Sequence, residues 1–390
     1  SIEITEKRVM LRKALRLFSL TFLALAGMHV HAAEQEVSST TVLNMPTGVS
    51  TISHQIYDLH MLIFWVCVVI GIGVFGAMLW AMYFHRKSIG HEAENWHEHL
   101  GVELVWTIVP IFILVAMAWP ATTTLIEIYD TSDAEIDIRV TGSQWKWQYE
   151  YMGEGVQFLS QLASSQDEIY NLDEKGEFYL QEVDNPLVIP VDTKVRFLLS
   201  ATDVIHSFWV PDFAIKKDAI PGYITETWVE VTETGVYRGS CTELCGQGHA
   251  FMPVVFNVVE KDEYEFWLAE KIQEAEAIAA LTEQTFTMEE LMARGEEAYL
   301  TSCALCHQAN GQGVPPAFPS LVGSAVVTGP IDAHLEVGVN GVPGTVMQAF
   351  GNLLNEVDLA AIMTYQRNAW GNDMGDIVQP IDVYNYKQGQ

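Results

Sequence analysis

Two long apolar stretches, residues 57–84 and 102–126, restrict the folds open to this chain more than any other feature of its sequence. Each is long enough to cross a bilayer as a helix, since about twenty helical residues span roughly 30 Å of hydrocarbon. The first carries no charge from Met61 onward, and the basic pair Arg86-Lys87 follows it at once. By the positive-inside tendency, that pair places the connecting loop in the cytoplasm and everything after about residue 129 outside it. We therefore predict a multidomain membrane protein with a two-helix transmembrane hairpin.

The N-terminal segment has the pattern of a secretory signal. Met10 opens a basic stretch, an apolar run covers residues 17–27, and the Ala32-Ala33 pair suits cleavage. We expect residues 1–33 to form an extension and signal peptide, with the mature chain beginning near Glu34. A short uncleaved anchor is the alternative interpretation.

Between residues 136 and 259 the pattern changes to short alternating runs separated by proline and glycine. Three examples are residues 135–140, 145–149 and 225–231. Strands at this spacing indicate an antiparallel β-sandwich or barrel. We assign residues 34–128 to the hairpin and residues 129–262 to this β domain.

One short segment, Cys241 to Pro253, brings two thiols, an imidazole and a thioether close together in the sequence. Its donors are Cys241, Cys245, His249 and Met252, and His206 is a further imidazole upstream. Soft sulfur and imidazole donors select copper, and this set exceeds that of a blue-copper site, which uses two His, one Cys and a weak axial Met. We therefore predict two copper ions bridged by both cysteines, in a loop that joins two late strands.

A second motif, Cys303-Ala-Leu-Cys306-His307, is the most specific short motif in the chain. A C-x-x-C-H run is typical of covalent c-type haem attachment, with the His as proximal ligand. Haem of this kind usually takes a Met on its other face, and Met347 lies in a Gly-rich, loop-like segment about forty residues later. Met363 lies in a helix-like apolar stretch, so we assign it to the core.

The haem motif belongs to the C-terminal part of the chain, which we predict to be helical. Residues 263–285, rich in Glu, Ala and Lys, indicate a linker helix, and an all-α cytochrome c domain follows at residues 286–372. Residues 373–390 form a tail with no pattern that predicts structure.

Two other interpretations of the cysteines near residue 241 stay open. An external compartment permits a disulfide between Cys241 and Cys245, but His249 and Met252 would then be idle. A redox thiol or copper chaperone also uses two cysteines at this spacing and a distant His. Such a protein needs neither Met252 nor the haem motif.

The chain is strongly acidic, with a net charge of −30 that lies almost entirely in the external part. An acidic surface argues against a nucleic-acid partner and favours a cationic protein donor, attracted by long-range electrostatics.

With these motifs in view, the chain resembles subunit II of a haem-copper cytochrome c oxidase that carries a fused cytochrome c domain. The resemblance rests on the hairpin, on residues 144–150 and 203–211, on the segment from Cys241 to Pro253, and on the haem motif. It implies a cupredoxin-like fold for the β domain and a binuclear copper centre, CuA. The implied ligands are His206, Cys241, the backbone carbonyl of Glu243, Cys245, His249 and Met252.

The resemblance also implies roles beyond copper ligation. The Glu243 carboxylate would serve a magnesium ion shared with subunit I, Trp145 would be the aromatic through which electrons enter, and Glu103 would stand at the mouth of a proton channel. From the residues alone, Glu103 is a helix N-terminal carboxylate beside the macrodipole, and Trp147 is a strand residue packed into the sheet. Lys146 is a departure, since many relatives carry an aromatic at that position.

The implied function is electron relay in an oxidoreductase and translocase complex. A cationic cytochrome c would be the donor, and subunit I would reduce dioxygen to water with proton translocation. Subunit III and membrane lipid are further expected partners, in a bacterial inner membrane with both metal domains on the periplasmic side. The alternatives are a quinol oxidase subunit, which would lack the Cys-Cys-His-Met set, and a free-standing membrane-tethered electron carrier or copper-delivery protein.

Overall fold

The structure, a computed structural model, describes residues 43–90 and 97–389. The predicted signal segment at residues 1–33 lies outside the described residues. Two long helices, α1 (Thr51–Phe84) and α2 (Leu100–Ile128), contact each other, and their apolar side chains are exposed rather than packed in a core. Apolar surfaces of this length need lipid or partner helices around them. The two helices confirm the predicted hairpin.

The outer ends of both helices are tied to the β domain by hydrogen bonds. The indole Nε1 of Trp228 donates to the carbonyl oxygen of Glu127 at 3.2 Å. At the start of α1, Ser50 Oγ donates to the carbonyl oxygen of Phe213 at 2.8 Å and accepts from the backbone N–H of Ser53 as a helix cap. The hairpin and the β domain are therefore joined by specific contacts as well as by the chain.

Ten strands form two five-stranded sheets in residues 136–259. Their bounds are β1 Ile136–Ser143, β2 Lys146–Tyr151, β3 Val156–Ser160, β4 Leu187–Pro190, β5 Lys194–Ala201, β6 His206–Val210, β7 Ile215–Ala219, β8 Thr225–Glu230, β9 Gly235–Cys241 and β10 Pro253–Val259. The strand order is β3-β2-β1-β5-β8 in one sheet and β4-β10-β9-β6-β7 in the other. This arrangement is the predicted sandwich, and its core is aromatic: Phe208 packs against Trp147, Phe197 and Phe256.

The sandwich is mixed rather than purely antiparallel. Strand β1 pairs parallel with β5, and β4 pairs parallel with β10, while the other strand pairs are antiparallel. Alternation of apolar and polar residues reports which face of a strand is buried and carries no information about its direction. For that reason the sequence predicted the sandwich without its parallel pairs.

The remaining helices, apart from one short turn in the β domain, belong to the C-terminal part. Their bounds are α3 Gln166–Ile169, α4 Lys261–Leu281, α5 Met288–Ser302, α6 Ala304–His307, α7 Ile331–Asn340, α8 Glu356–Asn368 and α9 Pro380–Lys387. Helices α5 and α8 cross closely because Gly295 has no side chain. A Cβ atom at that position would lie 2.1 Å from the carbonyl oxygen of Ala361.

Two helices of the C-terminal part pack on neighbouring elements: α4, in the predicted linker helix, and α9, in the predicted tail. Helix α4 packs on the β domain, where the ring of Trp267 lies tilted against that of Tyr151 with centroids 5.2 Å apart. Helix α9 falls in the segment for which the sequence predicted no structure. Its Val383 is buried, and Lys387 Nζ lies 2.6 Å from a carboxylate oxygen of Glu356 in α8.

The helical part rests directly on the β domain. Gln148 Nε2 donates to the carbonyl oxygen of Asn352 at 2.7 Å, and Gln348 Nε2 donates to that of Gln144 at 3.3 Å. Leu159 of β3 packs in the same apolar cluster as residues of α7 and α8. The two parts therefore share a packed interface.

Candidate metal centre and adjoining cavity

Two strand ends and the loop that follows β9 gather three buried donors. His206 opens β6 and Cys241 ends β9, while Cys245 lies in the loop that leads to β10. The Cys241 Sγ atom lies 3.8 Å from Cys245 Sγ and 4.0 Å from His206 Nδ1. Both thiols are free. Two sulfurs at this separation can both lie about 2.3 Å from one soft metal ion, a typical metal–thiolate distance.

Other predicted ligands lie around this cluster. His249 Nδ1 is 3.5 Å from Cys245 Sγ, and the backbone carbonyl oxygen of Glu243 is 3.3 Å from Cys241 Sγ. The Glu243 side chain is exposed. Met252 is buried, and its carbonyl oxygen accepts the backbone N–H of Cys241 at 3.0 Å. The donor set is the soft sulfur and imidazole chemistry that suits copper.

Asp203 holds the imidazole of His206 in place. Its Oδ1 atom lies 2.9 Å from His206 Nε2, which leaves Nδ1 on the side of Cys241. Its Oδ2 atom accepts the backbone N–H of Gln144 at 2.7 Å. A carboxylate behind a ligating imidazole fixes both its tautomer and its orientation. The segment Asp203-Val-Ile-His206 was evident in the sequence, although nothing in it marked Asp203 as the support.

The protonation of the thiols reflects this arrangement. The hydrogen bond between the two thiols, helped by the one to His206, lowers the pKa of Cys241 despite burial, and the same bond raises the pKa of Cys245. Burial disfavours a charged His206, but its hydrogen bonds to Asp203 and Cys241 outweigh burial and raise its pKa. The lowered pKa of Cys241 favours its thiolate, which is the form that binds a metal.

Trp145 covers the cysteine loop from outside. Its indole Nε1 donates to the carbonyl oxygen of Cys245 at 3.1 Å, and Gln144 Nε2 donates to the same oxygen at 2.7 Å. The ring lies against Gly248, where a Cβ atom would stand 2.3 Å from Trp145 Cδ2. Trp147 points into the sandwich core, as predicted, with its ring centroid 6.0 Å from that of His206.

A cavity of about 970 Å³ lies on the other side of Trp145, between the β domain and the helical part. Its volume is at the upper end of the range for cofactor sites. The predicted haem residues all line this cavity: Cys303, Cys306, His307 and Met347. Met363 is buried, as predicted for a core residue, and also lines the cavity.

His307 is oriented to ligate a metal ion through its Nε2 atom. Its Nδ1 atom donates to the carbonyl oxygen of Pro319 at 2.9 Å, so the Nε2 lone pair is left for a ligand. Burial lowers the pKa of His307, which keeps the ring neutral. Burial also raises the pKa of Cys303 to about 12 and raises that of Cys306. These residues fit a c-type haem, whose cysteines form thioethers rather than metal–thiolate bonds.

Lys146 forms part of the cavity wall. The sequence marked it only as a departure from relatives, many of which carry an aromatic residue at that position. It is buried, and its ammonium lies 4.6 Å from the ring centroid of Phe350. Desolvation by burial lowers its pKa. A charged residue between Trp145 and the predicted core residue Trp147 was the available signal for an unusual environment.

Glu103 lies in the first turn of α2, far in sequence from these sites. Its carboxylate accepts the backbone N–H of His99, the N-cap residue, at 3.1 Å. This geometry is that of a helix-capping carboxylate.

Comparison with known families gives three matches. The family described as cytochrome c oxidase subunit II, periplasmic domain, matches residues 136–259, and the one described as cytochrome c oxidase subunit II, transmembrane domain, matches residues 38–123. A third, described as cytochrome c oxidase, cbb3-type, subunit III, matches residues 290–365.

Individual relatives agree with these matches. The protein named "Probable cytochrome c oxidase subunit 2" of Rickettsia bellii is 38% identical, over 57% of this chain and 81% of the relative. The protein of the same name in Rickettsia prowazekii is 39% identical, over 57% of this chain and 70% of the relative. The crystal structure of the periplasmic domain of subunit II of cytochrome oxidase of Bradyrhizobium japonicum is 39% identical. It covers 37% of this chain and 98% of its own, with a TM-score of 0.33.

Proposed function

This chain belongs to the cytochrome c oxidase subunit II family, and on that premise we propose that it relays electrons from a periplasmic donor to the haem-copper catalytic subunit I. Family membership makes it part of an oxidoreductase complex, anchored in a membrane with a periplasmic domain and partnered by subunit I. It also implies copper and, through the cytochrome segment, haem as cofactors. Dioxygen is reduced to water in subunit I, coupled to proton translocation.

The copper proposal is a binuclear CuA centre. His206, Cys241, Cys245, His249, the carbonyl oxygen of Glu243 and the thioether of Met252 would hold the two ions. Support comes from the two buried thiols, whose sulfurs are 3.8 Å apart. Each sulfur also has an imidazole nitrogen within 4.0 Å, from His206 beside Cys241 and from His249 beside Cys245. Rigid strand ends keep these ligands fixed, so little reorganisation accompanies a change in oxidation state.

The haem proposal is a c-type haem in the cavity beside Trp145. Cys303 and Cys306 would carry its thioether bonds, His307 would be the proximal ligand, and Met347 the ligand on the other face. Support comes from the oriented ring of His307 and from the shared cavity. When bound, copper and haem supply one-electron redox chemistry, and the protein supplies their positions and surroundings.

The position of Trp145 is the observation that carries the relay proposal. One face of the residue belongs to the cavity wall, and its indole N–H is bonded to the carbonyl of Cys245. Only 7% of Trp145 is exposed, and the carbonyl oxygen of its neighbour Gln144 accepts a hydrogen bond from Gln348 of the helical part. We infer that a donor docks on the helical part and that electrons reach the copper loop across Trp145 from within the chain.

Further roles follow from the same proposal. The exposed Glu243 carboxylate would serve a magnesium ion shared with subunit I, and Glu103 would lie at the entrance of a proton channel. The acidic exterior would attract a cationic cytochrome c, and subunit III and lipid would surround the hairpin in a bacterial inner membrane. Glu103 also caps α2, so a change there tests both roles together.

The experiment is a cofactor analysis of the full chain, produced with haem maturation and copper and purified from membranes. Two copper ions that share one unpaired electron, beside one covalent low-spin haem c, are expected by electron paramagnetic resonance and mass spectrometry. One copper ion or none, with Cys241 and Cys245 oxidised to a disulfide, would refute the copper centre. Co-purification of a large haem-bearing subunit separates an oxidase subunit from a free-standing carrier.

A further inference from the structure

His334 is a buried polar residue that the proposed relay leaves without a role. It lies in α7, is 4% exposed, and forms part of the wall of the cavity that holds the haem motif. The two cysteines of that motif belong to a different wall, around α6. A histidine in a largely apolar cavity must find a partner for each ring nitrogen or lose hydrogen bonds to water.

One ring nitrogen of His334 is satisfied and the other is not. The Nε2 atom donates to the amide oxygen of Gln366 at 2.8 Å. The Nδ1 atom is buried and has no hydrogen-bond partner among residues 43–90 and 97–389. Because the bond to Gln366 fixes the ring, Nδ1 is held in one direction, ready for a group that the protein itself does not provide.

The charged groups that face His334, Arg367 and Asp376, form an ion pair with each other. Arg367 forms a two-pronged ion pair with Asp376, with Nη2 and Oδ2 2.5 Å apart, and donates a further bond to the carbonyl of Val327 at 2.7 Å. Arg367 disfavours a charge on His334 while Asp376 favours it, and burial dominates both. Burial lowers the pKa of His334 to about 4, so the ring is neutral until an anion arrives.

We propose that His334 Nδ1 is the hydrogen-bond donor to a propionate carboxylate of the haem in this cavity. The inference rests on the proposed function, since it requires a haem. A carboxylate only accepts hydrogen bonds, and Nε2 already donates to Gln366, so the ring takes up one proton from solvent and pairs with the propionate as imidazolium. The unsatisfied nitrogen and the anionic edge of the cofactor then satisfy each other in a dry site.

This pairing couples the haem potential to pH. Reduction removes one positive charge from the iron, and the imidazolium is more stable when that charge is gone. His334 therefore binds its proton more tightly in the reduced protein. By linkage, the reduction potential falls as pH rises through the pKa range of the pair and is constant on either side of it.

The test compares His334→Gln with the wild type in the full chain, loaded with haem. Glutamine keeps a hydrogen-bond donor of similar length and cannot titrate. Val337→Ala is the matched control, because Val337 lines the same cavity from the same helix and carries no polar group. The readouts are the haem potential between pH 5 and 8 and the propionate bending band in the resonance Raman spectrum.

At one fixed solution potential, we expect the wild type and Val337→Ala to hold about tenfold more reduced haem, relative to oxidised, at the acid end of this range than at the basic end. His334→Gln should abolish this dependence and shift the propionate band. Equal pH dependence in wild type and His334→Gln, with an unshifted band, would overturn the assignment. Absence of covalent haem from the wild type would instead refute the proposed function.

Discussion

The two pairs of cysteines in this chain differ more in their surroundings than in their sequences. Cys241 and Cys245 lie at a strand end and in a loop, next to two imidazoles that form contacts with their sulfurs. Cys303 and Cys306 lie around a short helix, where burial raises the pKa of both thiols. The surroundings of the first pair lower the pKa of Cys241 and favour its thiolate, whereas burial favours the neutral form of both thiols in the second pair.

This difference separates two kinds of cofactor binding within one molecule. A soft metal ion needs thiolates with further donors in reach, and His206 and His249 provide them. Covalent haem attachment needs accessible sulfurs beside a cavity and one well-oriented imidazole, which His307 provides through its bond to Pro319. Spacing alone, four residues in one pair and three in the other, would not explain why each pair takes its own cofactor.

The strongest test of the comparison exchanges one cysteine in each pair for serine. Cys245→Ser should abolish the binuclear copper signal and leave covalent haem in place, because the cavity is untouched. Cys303→Ser should leave the copper signal and weaken haem attachment. Copper analysis and haem staining of both variants provide reciprocal controls. Loss of both cofactors from either variant would mean that the two sites are not independent.

The next test concerns the second ligand on the haem side. Met347→Ala should keep the haem attached but lower its potential, on the order of 0.1 V or more within the roughly 0.8 V range that axial ligands span. Met363→Leu is the control, since Met363 lines the same cavity and is assigned to the core. An unchanged potential in Met347→Ala, measured by redox titration, would move the ligand to another residue.

A smaller effect, on copper affinity, is expected from Asp203, the carboxylate that supports the proposed copper ligand His206. Asp203→Asn removes the charge that supports His206 while keeping a similar shape, and it should weaken copper binding roughly 10- to 100-fold. The haem spectrum should not change, because Asp203 bonds His206 and is not among the residues that line the haem cavity. Competition with a copper chelator measures the affinity. Wild-type affinity in Asp203→Asn would show that the carboxylate is dispensable.

The smallest effect on the copper site is expected from a change at Met252, the proposed thioether ligand. Met252→Leu should retain both copper ions, since a long axial sulfur bond contributes little to affinity, but should alter the optical spectrum and the copper potential. Identical spectra in wild type and variant would remove Met252 from the copper site.

Local patterns in the sequence predicted most of the architecture, and its two motifs predicted where the copper and haem sites lie. Long apolar runs predicted the hairpin, and alternation predicted the sandwich that brings His206 of β6 to Cys241 at the end of β9. The family resemblance supplied Glu243 and Trp145, whose roles stay predictions. Met347 was identified by its loop-like setting and lines the cavity beside Trp145.

What the sequence did not predict depends on contacts between distant segments. Three features arise from tertiary packing: the cavity that the helical part forms beside Trp145, the support of His206 by Asp203, and the unsatisfied nitrogen of His334. Helix α9 was missed because its eight residues are mixed in polarity and are stabilised by Val383 and the Lys387–Glu356 pair. Short helices of this kind depend on tertiary contacts more than on propensity.

The most direct test of the relay is to reduce the haem with a light pulse in the purified full chain and follow the copper absorbance. The account predicts copper reduction at a rate that is independent of protein concentration, and a slower rate in Trp145→Leu with both cofactors retained. A rate that rises in proportion to protein concentration, or one that Trp145→Leu leaves unchanged, would contradict transfer across Trp145 within the chain.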